Sequence, residues 1–450
     1  MPAVAPYARQ EAGLLRASSA IPRVDLLQVS LSLVLLVGAW RIQDLYGILA
    51  ALQLPILASF GVYLLSALDR DYRRTLRLSY HRLLGFLVAI LVLASISAPF
   101  ALYPGLSFKF LLNDLIRNVV LAFLITVSIR GFVDLERMAK IHLIGAVILC
   151  VDTILHGSVT VTGRLDRDGY YDSNDLAMLA VCALPLALYF LRRQVPAKVR
   201  LAALGTAGLL LLFIVKTGSR GGFLGLIATV AFMLLAFRAF SKKARFGSIG
   251  VIVVGMLLFG SDQYWKMMNS IIHPQNDYNV NTEDGRIHIW KRGIGYMKAR
   301  PLLGVGPRNF LIAEGTISPL AWLQQYGHGI RWAAPHNSFV EIGAELGVTG
   351  LVLFVSMLIA VFVTLYRAAR GPPGGPRPPP EQRALAQALA ATFVGFCVSG
   401  FFITQAFSFF LYTMIAMVAG LAKVQRMATP AGRPAALRPR RTHHRMRPVG

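Results

Sequence analysis

Long apolar runs separated by short polar stretches occupy most of the chain between Asp25 and Lys423. Twelve can be marked, at roughly 25–40, 45–67, 83–102, 110–129, 140–155, 175–191, 200–216, 222–239, 247–261, 346–366, 385–404 and 406–422. Most approach the length of about 20 residues that carries a helix across a bilayer. Backbone groups in lipid must be paired within their own segment, so the runs are predicted to be helices. The runs at 140–155 and 247–261 are short and are expected to be locally broken or to extend into polar flanks. A different pattern occupies Gly285 to Lys298, where Ile287, Trp290, Ile294 and Met297 recur at steps of three and four. That spacing predicts an amphipathic helix, with Arg286 on a neighbouring stripe. The helix should stop at Arg300-Pro301, because a residue before proline avoids the helical region.

Composition agrees with this pattern. Of 450 residues, 55% are hydrophobic and 15% charged, and the mean hydropathy is +0.57; a soluble domain is about 45–50% apolar and about 25% charged. An ordinary cytosolic enzyme is excluded, and so is a disordered chain, which needs low hydrophobicity. The expected fold is an all-α polytopic membrane protein with about 12 transmembrane helices. Its divisions are an N-terminal segment 1–23, helices one to nine over 24–261, a helical loop domain over 262–345, helices ten to twelve over 346–422, and a tail 423–450. The loop 367–384 is Pro-rich, and its run from Gly371 to Pro380 predicts a stiff polyproline connector.

A net charge of +25 would suggest nucleic acid in a soluble protein. Here its distribution gives another cause. With the N-terminus inside, 31 lysines and arginines fall on the inner side and six in short outer loops, with eight more in 262–345 and Arg117 within a span. That is the positive-inside bias. It places both termini in the cytoplasm and 262–345 outside, and no nucleic-acid partner is expected. The basic tail from Arg433 to Arg447 reads as a cationic segment near anionic lipid. Cys150, Cys182 and Cys397 each lie in an apolar stretch, so no disulfide framework is visible. Arg9, Arg16 and Arg23 precede the first span without a small-residue cleavage site, which reads as an uncleaved anchor.

Two outer regions, about 156–174 and 262–345, are longer than connectivity requires. In the second, Ala334-Pro335-His336-Asn337-Ser338 precedes a helical run bearing Glu341 and Glu345 on one face. An imidazole there has the side-chain pKa suited to accepting a proton near neutrality; a helix-capping role fits the position equally well. Between two spans, Lys216-Thr217-Gly218-Ser219-Arg220-Gly221-Gly222 holds two cations at the outer interface. Guanidinium forks match phosphate oxygens, while interfacial snorkelling is the alternative. Gly304-Val305-Gly306-Pro307 is a tight turn and no Walker motif. Metal signals are weak. Asp166-Arg167-Asp168 is a short acidic triplet of the kind common in solvated loops, Asp69-Arg70-Asp71 is on the inner side, and the run from Asp277 has Thr282 and His288 where a calcium loop needs Gly and Glu.

Thr217-Gly218-Ser219-Arg220-Gly221-Gly222, the stretch Gly285-Arg286 to Gly306-Pro307 with Trp290 and Arg300-Pro301, and His336-Asn337-Ser338-Phe339 with Glu345-Leu346-Gly347 resemble the signature of the O-antigen ligase/polymerase superfamily. Tyr171-Asp172-Ser173-Asn174-Asp175 resembles its Asp-Pro-Asn-Asp element, with Ser173 in place of proline. The motifs span 171–347. The resemblance implies a GT-C-like glycosyltransferase of the bacterial inner membrane, its active site periplasmic. The donor would be an O-antigen glycan on undecaprenyl diphosphate and the acceptor a hydroxyl of lipid A–core oligosaccharide. It assigns His336 as general base and Arg220 and Arg286 as ligands of the diphosphate leaving group, with no metal and no cofactor. Lys216, Arg308, Arg331, Asp172 and Asn174 would be further substrate contacts, and Glu345 would orient His336 or pack near the loop. Members of the superfamily also polymerise lipid-linked repeats or glycosylate proteins, and these remain alternatives. Outside it stand a transporter or flippase, for which only Asp114 and Arg117 offer ionisable groups inside the bundle, and an inactive scaffold.

Overall fold

The computed structural model describes residues 25–69, 71, 79, 81–160, 163–167, 171–236, 250, 260–273, 278–324, 329–331, 333–371 and 376–428. The N-terminal segment, most of the 247–261 run, Asp168, Asp277, residues 372–375 of the Gly-Pro connector and most of the basic tail lie outside them.

Helices dominate, as the apolar pattern predicts. We label the longer ones α1 (Leu26–Val34, continued by a π-turn to Ala39), α2 (Leu54–Leu68), α3 (Arg82–Ser97), α4 (Pro104–Ser128), α5 (Phe132–His156), α6 (Ser173–Tyr189), α7 (Ala197–Thr217) and α8 (Arg220–Ala236). They continue with α9 (Asp262–Asn269), α10 (Arg286–Ala299), α11 (Phe310–Thr316), α12 (Ser338–Arg370), α13 (Pro380–Ser399) and α14 (Phe409–Ala428). Among the described residues six helical stretches are long and apolar enough to cross a membrane: α3 with the turn after it, α4, α5, α7, α12, and α13 with the turn after it. Shorter apolar helices lie at Leu26–Ala39, Leu54–Leu68, Ser173–Tyr189 and Arg220–Leu235.

One expected run is broken, and one short run extends into its polar flank as expected. The run at 45–67 is not one helix: a short turn at Gly47–Ala51 ends before Gln53, which sits at φ 47°, and α2 restarts at Leu54. Pro55 explains the break, since its ring cannot continue a helix from upstream and it has no N–H to donate. The short run at 140–155 is the apolar end of a 25-residue helix, α5, whose first turns carry Asp134, Glu136 and Lys140.

At the centre, α6 packs on α13 and α7, and α13 also packs on α8. Lipid tails are as apolar as leucine, so close backbone approach rather than apolar burial drives such association. Small residues make it possible here: a Cβ on Gly222 of α8 would lie 2.4 Å from Ala177 Cβ, and one on Gly395 of α13 would lie 2.7 Å from Thr229 Oγ1. At the C-terminal end of α4, Lys423 of α14 is wholly buried and donates to the carbonyls of Thr126 and Val127, while Gln28 donates to that of Ser128. Those are the orphan carbonyls of a helix end, and a cation there also meets the negative end of the helix dipole.

The helix α10 runs over Arg286–Ala299, stopping before Pro301 as its sequence predicts. Its buried face differs from the expected one. Ile289, Gly293 and Tyr296 are buried, whereas Ile287 and Ile294 are exposed. Tertiary partners decide this: Gly293 lets Phe310 and Val340 come close, and Arg292 and Tyr296 both bond the buried Glu314, at 2.6 Å for Arg292 Nη2 and 2.6 Å for the Tyr296 hydroxyl.

Candidate functional site

The start of α6 is a capping box. Asp172 Oδ1 accepts the N–H groups of Asn174 (2.7 Å) and Asp175 (2.8 Å), and Asp175 Oδ2 accepts that of Asp172 (3.3 Å). Ser173 therefore stands at the first helical position, where the N–H has no helical partner and proline is tolerated. The serine-for-proline departure leaves the local geometry intact.

This helix start is tied to the turn carrying Arg220. Asn174 Oδ1 accepts from Ser219 Oγ (2.8 Å) and from Arg164 Nη2 (2.9 Å), and Arg164 Nε donates to the Thr217 carbonyl (3.4 Å). Gly218, at φ 58°, ends α7 in the left-handed region, and Ser219 Oγ accepts the Gly222 N–H (3.0 Å) at the start of α8. A reversal of two residues thus caps both helices and fixes where Arg220 begins. Arg220 Nη1 donates to Ser270 Oγ (2.7 Å), just after α9. Arg164 is held by a hairpin: β1 (Ser158–Val159) pairs antiparallel with β2 (Leu165–Asp166), and the Arg164 N–H donates to Thr160 Oγ1 (3.1 Å).

His336 has a left-handed backbone, φ 43°, uncommon for a residue with a side chain. Its neighbours hold it there. Its N–H donates to Thr404 Oγ1 (3.0 Å), and Trp290 Nε1 of α10 donates to the Pro335 carbonyl (2.9 Å). The cap of α12 is Asn337, whose Oδ1 accepts the N–H groups of Phe339 (2.9 Å) and Val340 (3.1 Å). The imidazole is therefore not needed as the cap. Burial lowers the pKa of His336; Arg286, on the first residue of α10, lowers it further, Asp172 opposes this, and Arg164 adds to the lowering. These four side chains, from the α12 approach, α10, the α6 start and the hairpin, share one electrostatic site. An imidazole kept neutral beside two guanidinium groups can take a proton while the guanidiniums bind an anion.

The glycine turn does something other than cradle phosphate. Gly304 and Gly306 fit against α12: a Cβ on Gly304 would lie 2.4 Å from the Glu345 carbonyl carbon, and the N–H groups of Val305 and Gly306 donate to the carbonyls of Ala344 (2.9 Å) and Glu345 (3.0 Å). Glu345 Oε2 accepts the Arg308 N–H (2.7 Å) and Oε1 that of Phe310 (3.3 Å). Both Glu345 carboxylate oxygens thus hold the loop at Arg308 and Phe310. At Gly347, φ 74°, α12 kinks, and the next N–H, of Val348, donates to the Pro301 carbonyl (2.7 Å). The two motif stretches 300–307 and 345–347 therefore occur together because one docks on the other.

The remaining candidates are dispersed. The Arg308 guanidinium lies over the Phe110 ring, 5.4 Å from its centroid. Arg331 is buried and pairs with Asp284 (2.7 Å). Lys216 is exposed in the last turn of α7. In the acidic triplet, Arg167 turns inward to the buried Asp152 (2.9 Å). Among the described residues no group of three His, Cys, Asp or Glu side chains is arranged to hold a metal ion.

Residues 205–355, which carry Arg220, Arg286 and His336, match the family model described as O-antigen ligase. The matched residues make up about a third of the chain and are similar to that family. The exopolysaccharide production protein ExoQ of Rhizobium meliloti (strain 1021) is 26% identical over 328 residues, covering 69% of this chain and 71% of its own length. Arg164 and the α6 start lie upstream of the matched residues yet are joined to the turn that carries Arg220. Sequence reasoning counted Arg164 only as an outer cation; the signal available was its side, since an arginine in a short outer loop runs against the charge bias.

The same reasoning missed the linker between α13 and α14. Phe402 meets Gly221 beside Arg220, where an added Cβ would lie 2.6 Å from Phe402 Cβ, and its ring lies 6.3 Å from that of Trp290. Gln405 Nε2 donates to Asp175 Oδ1 (2.8 Å), the Gln405 N–H to Ser338 Oγ (3.0 Å), and the Ala406 N–H to Glu341 Oε2 (3.0 Å). This one linker touches α6, α8, α10, α12 and the His336 segment.

Proposed function

We propose that this protein is an inverting glycosyltransferase that moves a glycan from undecaprenyl diphosphate to a hydroxyl of lipid A–core oligosaccharide at the periplasmic face of the bacterial inner membrane, as an O-antigen ligase. The carrying observation is that one linker ties the His336 backbone, through Thr404, to the α6 start, through Gln405 and Asp175, where Asn174 holds Arg164 and Ser219; the charges of Arg286, Asp172 and Arg164 act on the imidazole there. In the reaction, His336 takes the proton of the acceptor hydroxyl, whose oxygen attacks the anomeric carbon from the face opposite the diphosphate. The new C–O bond forms as the bond to the diphosphate oxygen breaks, and its electron pair leaves with the lipid diphosphate. Arg286 and Arg220 stabilise the charge that develops there, a task many glycosyltransferases give to a divalent metal. Arginine suits this because its fork is planar and stays charged. Asn174 and Asp172 keep the α6 start in place, while Lys216, Arg308 and Arg331 serve the glycan or the acceptor more distantly.

A second reading is supported by a specific observation: the matched relative is named for exopolysaccharide production. The same site would then join lipid-linked repeat units, the acceptor hydroxyl belonging to a second lipid-linked glycan. A deletion strain separates the two. Loss of smooth lipopolysaccharide with long lipid-linked polymer retained supports the ligase. Accumulation of single lipid-linked repeats contradicts it and supports the polymerase, and a strain with both products unchanged sinks both.

A further inference from the structure

The reading of His336 as the base leaves open what sets its geometry, and the linker between α13 and α14 supplies an answer. His336 is the second of three residues joining the Trp290-anchored Pro335 to the Asn337 cap of α12. Pro335 is fixed through its carbonyl, and Asn337 through its side chain. The His336 backbone between them is held through its own N–H by a single side-chain hydroxyl, that of Thr404, at 3.0 Å.

We propose that Thr404 is a positioning residue for His336: its hydroxyl accepts the His336 N–H and locks the left-handed backbone from which the imidazole is presented to the acceptor. The proposal rests on His336 being the base. Thr404 can do this because its own loop is immobilised on both sides. Ser338 Oγ donates to the Ile403 carbonyl (2.7 Å) and accepts the Gln405 N–H (3.0 Å), while the Gln405 side chain reaches Asp175 (2.8 Å). The hydroxyl is thus mounted on a segment stapled to α12 and α6, the two elements that carry His336 and Asp172. Because the linker also touches Trp290 through Phe402, both restraints on the Pro335-His336 segment belong to one packed unit. A base displaced by even an ångström from its proton loses much of its effectiveness, about 100-fold in unfavourable cases.

The test uses the full chain purified in detergent or nanodiscs. Transfer is followed with lipid-linked glycan extracted from the deletion strain, and donor affinity with undecaprenyl diphosphate. Thr404→Val and Thr404→Ala each remove the acceptor oxygen, so either alone suffices if the other fails to insert, and Thr404→Ser retains it. The expected result is a kcat lower by about tenfold or more in the Val and Ala variants, with KM and undecaprenyl diphosphate affinity within about twofold of wild type, and Ser restoring kcat to within about threefold. A Val or Ala variant with wild-type kcat, a loss confined to KM, or a Ser variant as impaired as Val overturns the proposal. His336→Gln distinguishes the failures. If it turns over like wild type, the base reading itself is wrong; if it is dead while Thr404→Val is fully active, only the role of Thr404 is wrong.

Discussion

A histidine beside two arginines is an unusual choice unless the imidazole must stay neutral. Burial and the cations Arg286 and Arg164 disfavour the imidazolium of His336, and Asp172 only partly offsets them. A general base works in its unprotonated form, so transfer should fall as pH drops through a value below the ordinary histidine pKa of about 6.5. Removing a nearby cation makes protonation easier. Arg164→Gln should therefore move this acid limb to higher pH, whereas Asp172→Asn, which retains a good helix cap, should move it lower. Rates measured across pH 5 to 8 would check both directions, and an acid limb unmoved by either change would remove these residues from the site. Arg220→Lys should lower transfer by about tenfold or more, because an ammonium lacks the paired donors of the fork. Full activity in that variant would return Arg220 to interfacial snorkelling. Of these residues, His336, Arg286 and Arg220 were legible as motif positions. Arg164 was not: its partners, Asn174 and Thr217, lie 10 and 53 residues away, and no periodicity reports such pairings.

At the scale of elements, boundaries were easier to read than faces. Pro301 marks the end of α10 in the sequence and in the structure alike, because the restriction on the residue before proline is local. Which side of α10 is buried depends on Glu314, Phe310 and Val340 from other elements, so the apolar stripe alone misplaced it. The same distinction explains the glycines. Gly304 reads in isolation as a turn residue and Gly347 only as a motif position, but both are required by packing of the 300–307 turn on α12. A Cβ on Gly347 would lie 2.3 Å from the Pro301 carbonyl oxygen, and its backbone, φ 74° and ψ −175°, lies in a region essentially confined to glycine that costs any other residue about 1–3 kcal/mol. Gly347→Ala should therefore lower the thermal midpoint of the purified protein. An unchanged midpoint would mean that the turn does not depend on the kink.

For the whole molecule, the alternation of apolar runs carries the helical, membrane-spanning reading, and among the described residues six helical stretches have the length and apolarity to cross. Orientation is testable directly. Trp322, 78% exposed beyond α11, should as a single cysteine react with a membrane-impermeant maleimide from the periplasmic side; protection there with labelling only from the cytoplasm would invert the topology. The linker at 400–406 was invisible from the sequence, where 400–404 reads as the end of the apolar run 385–404; in the structure the α-helix stops at Ser399. Its importance comes from contacts 65 to 230 residues apart, which only the assembled bundle brings together. Because the two arginines take the place of a divalent ion in the proposed chemistry, purified protein should keep its activity in excess chelator, and a strict divalent requirement would return attention to the acidic triplet at Asp166.

The most direct measurement is a single-turnover assay of His336→Gln in the purified full chain, with lipid-linked glycan extracted from the deletion strain and a lipid A–core acceptor, alongside binding of undecaprenyl diphosphate. The expected result is donor affinity close to wild type with transfer reduced to background. Transfer at the wild-type rate by a protein lacking this imidazole would contradict the account at its centre.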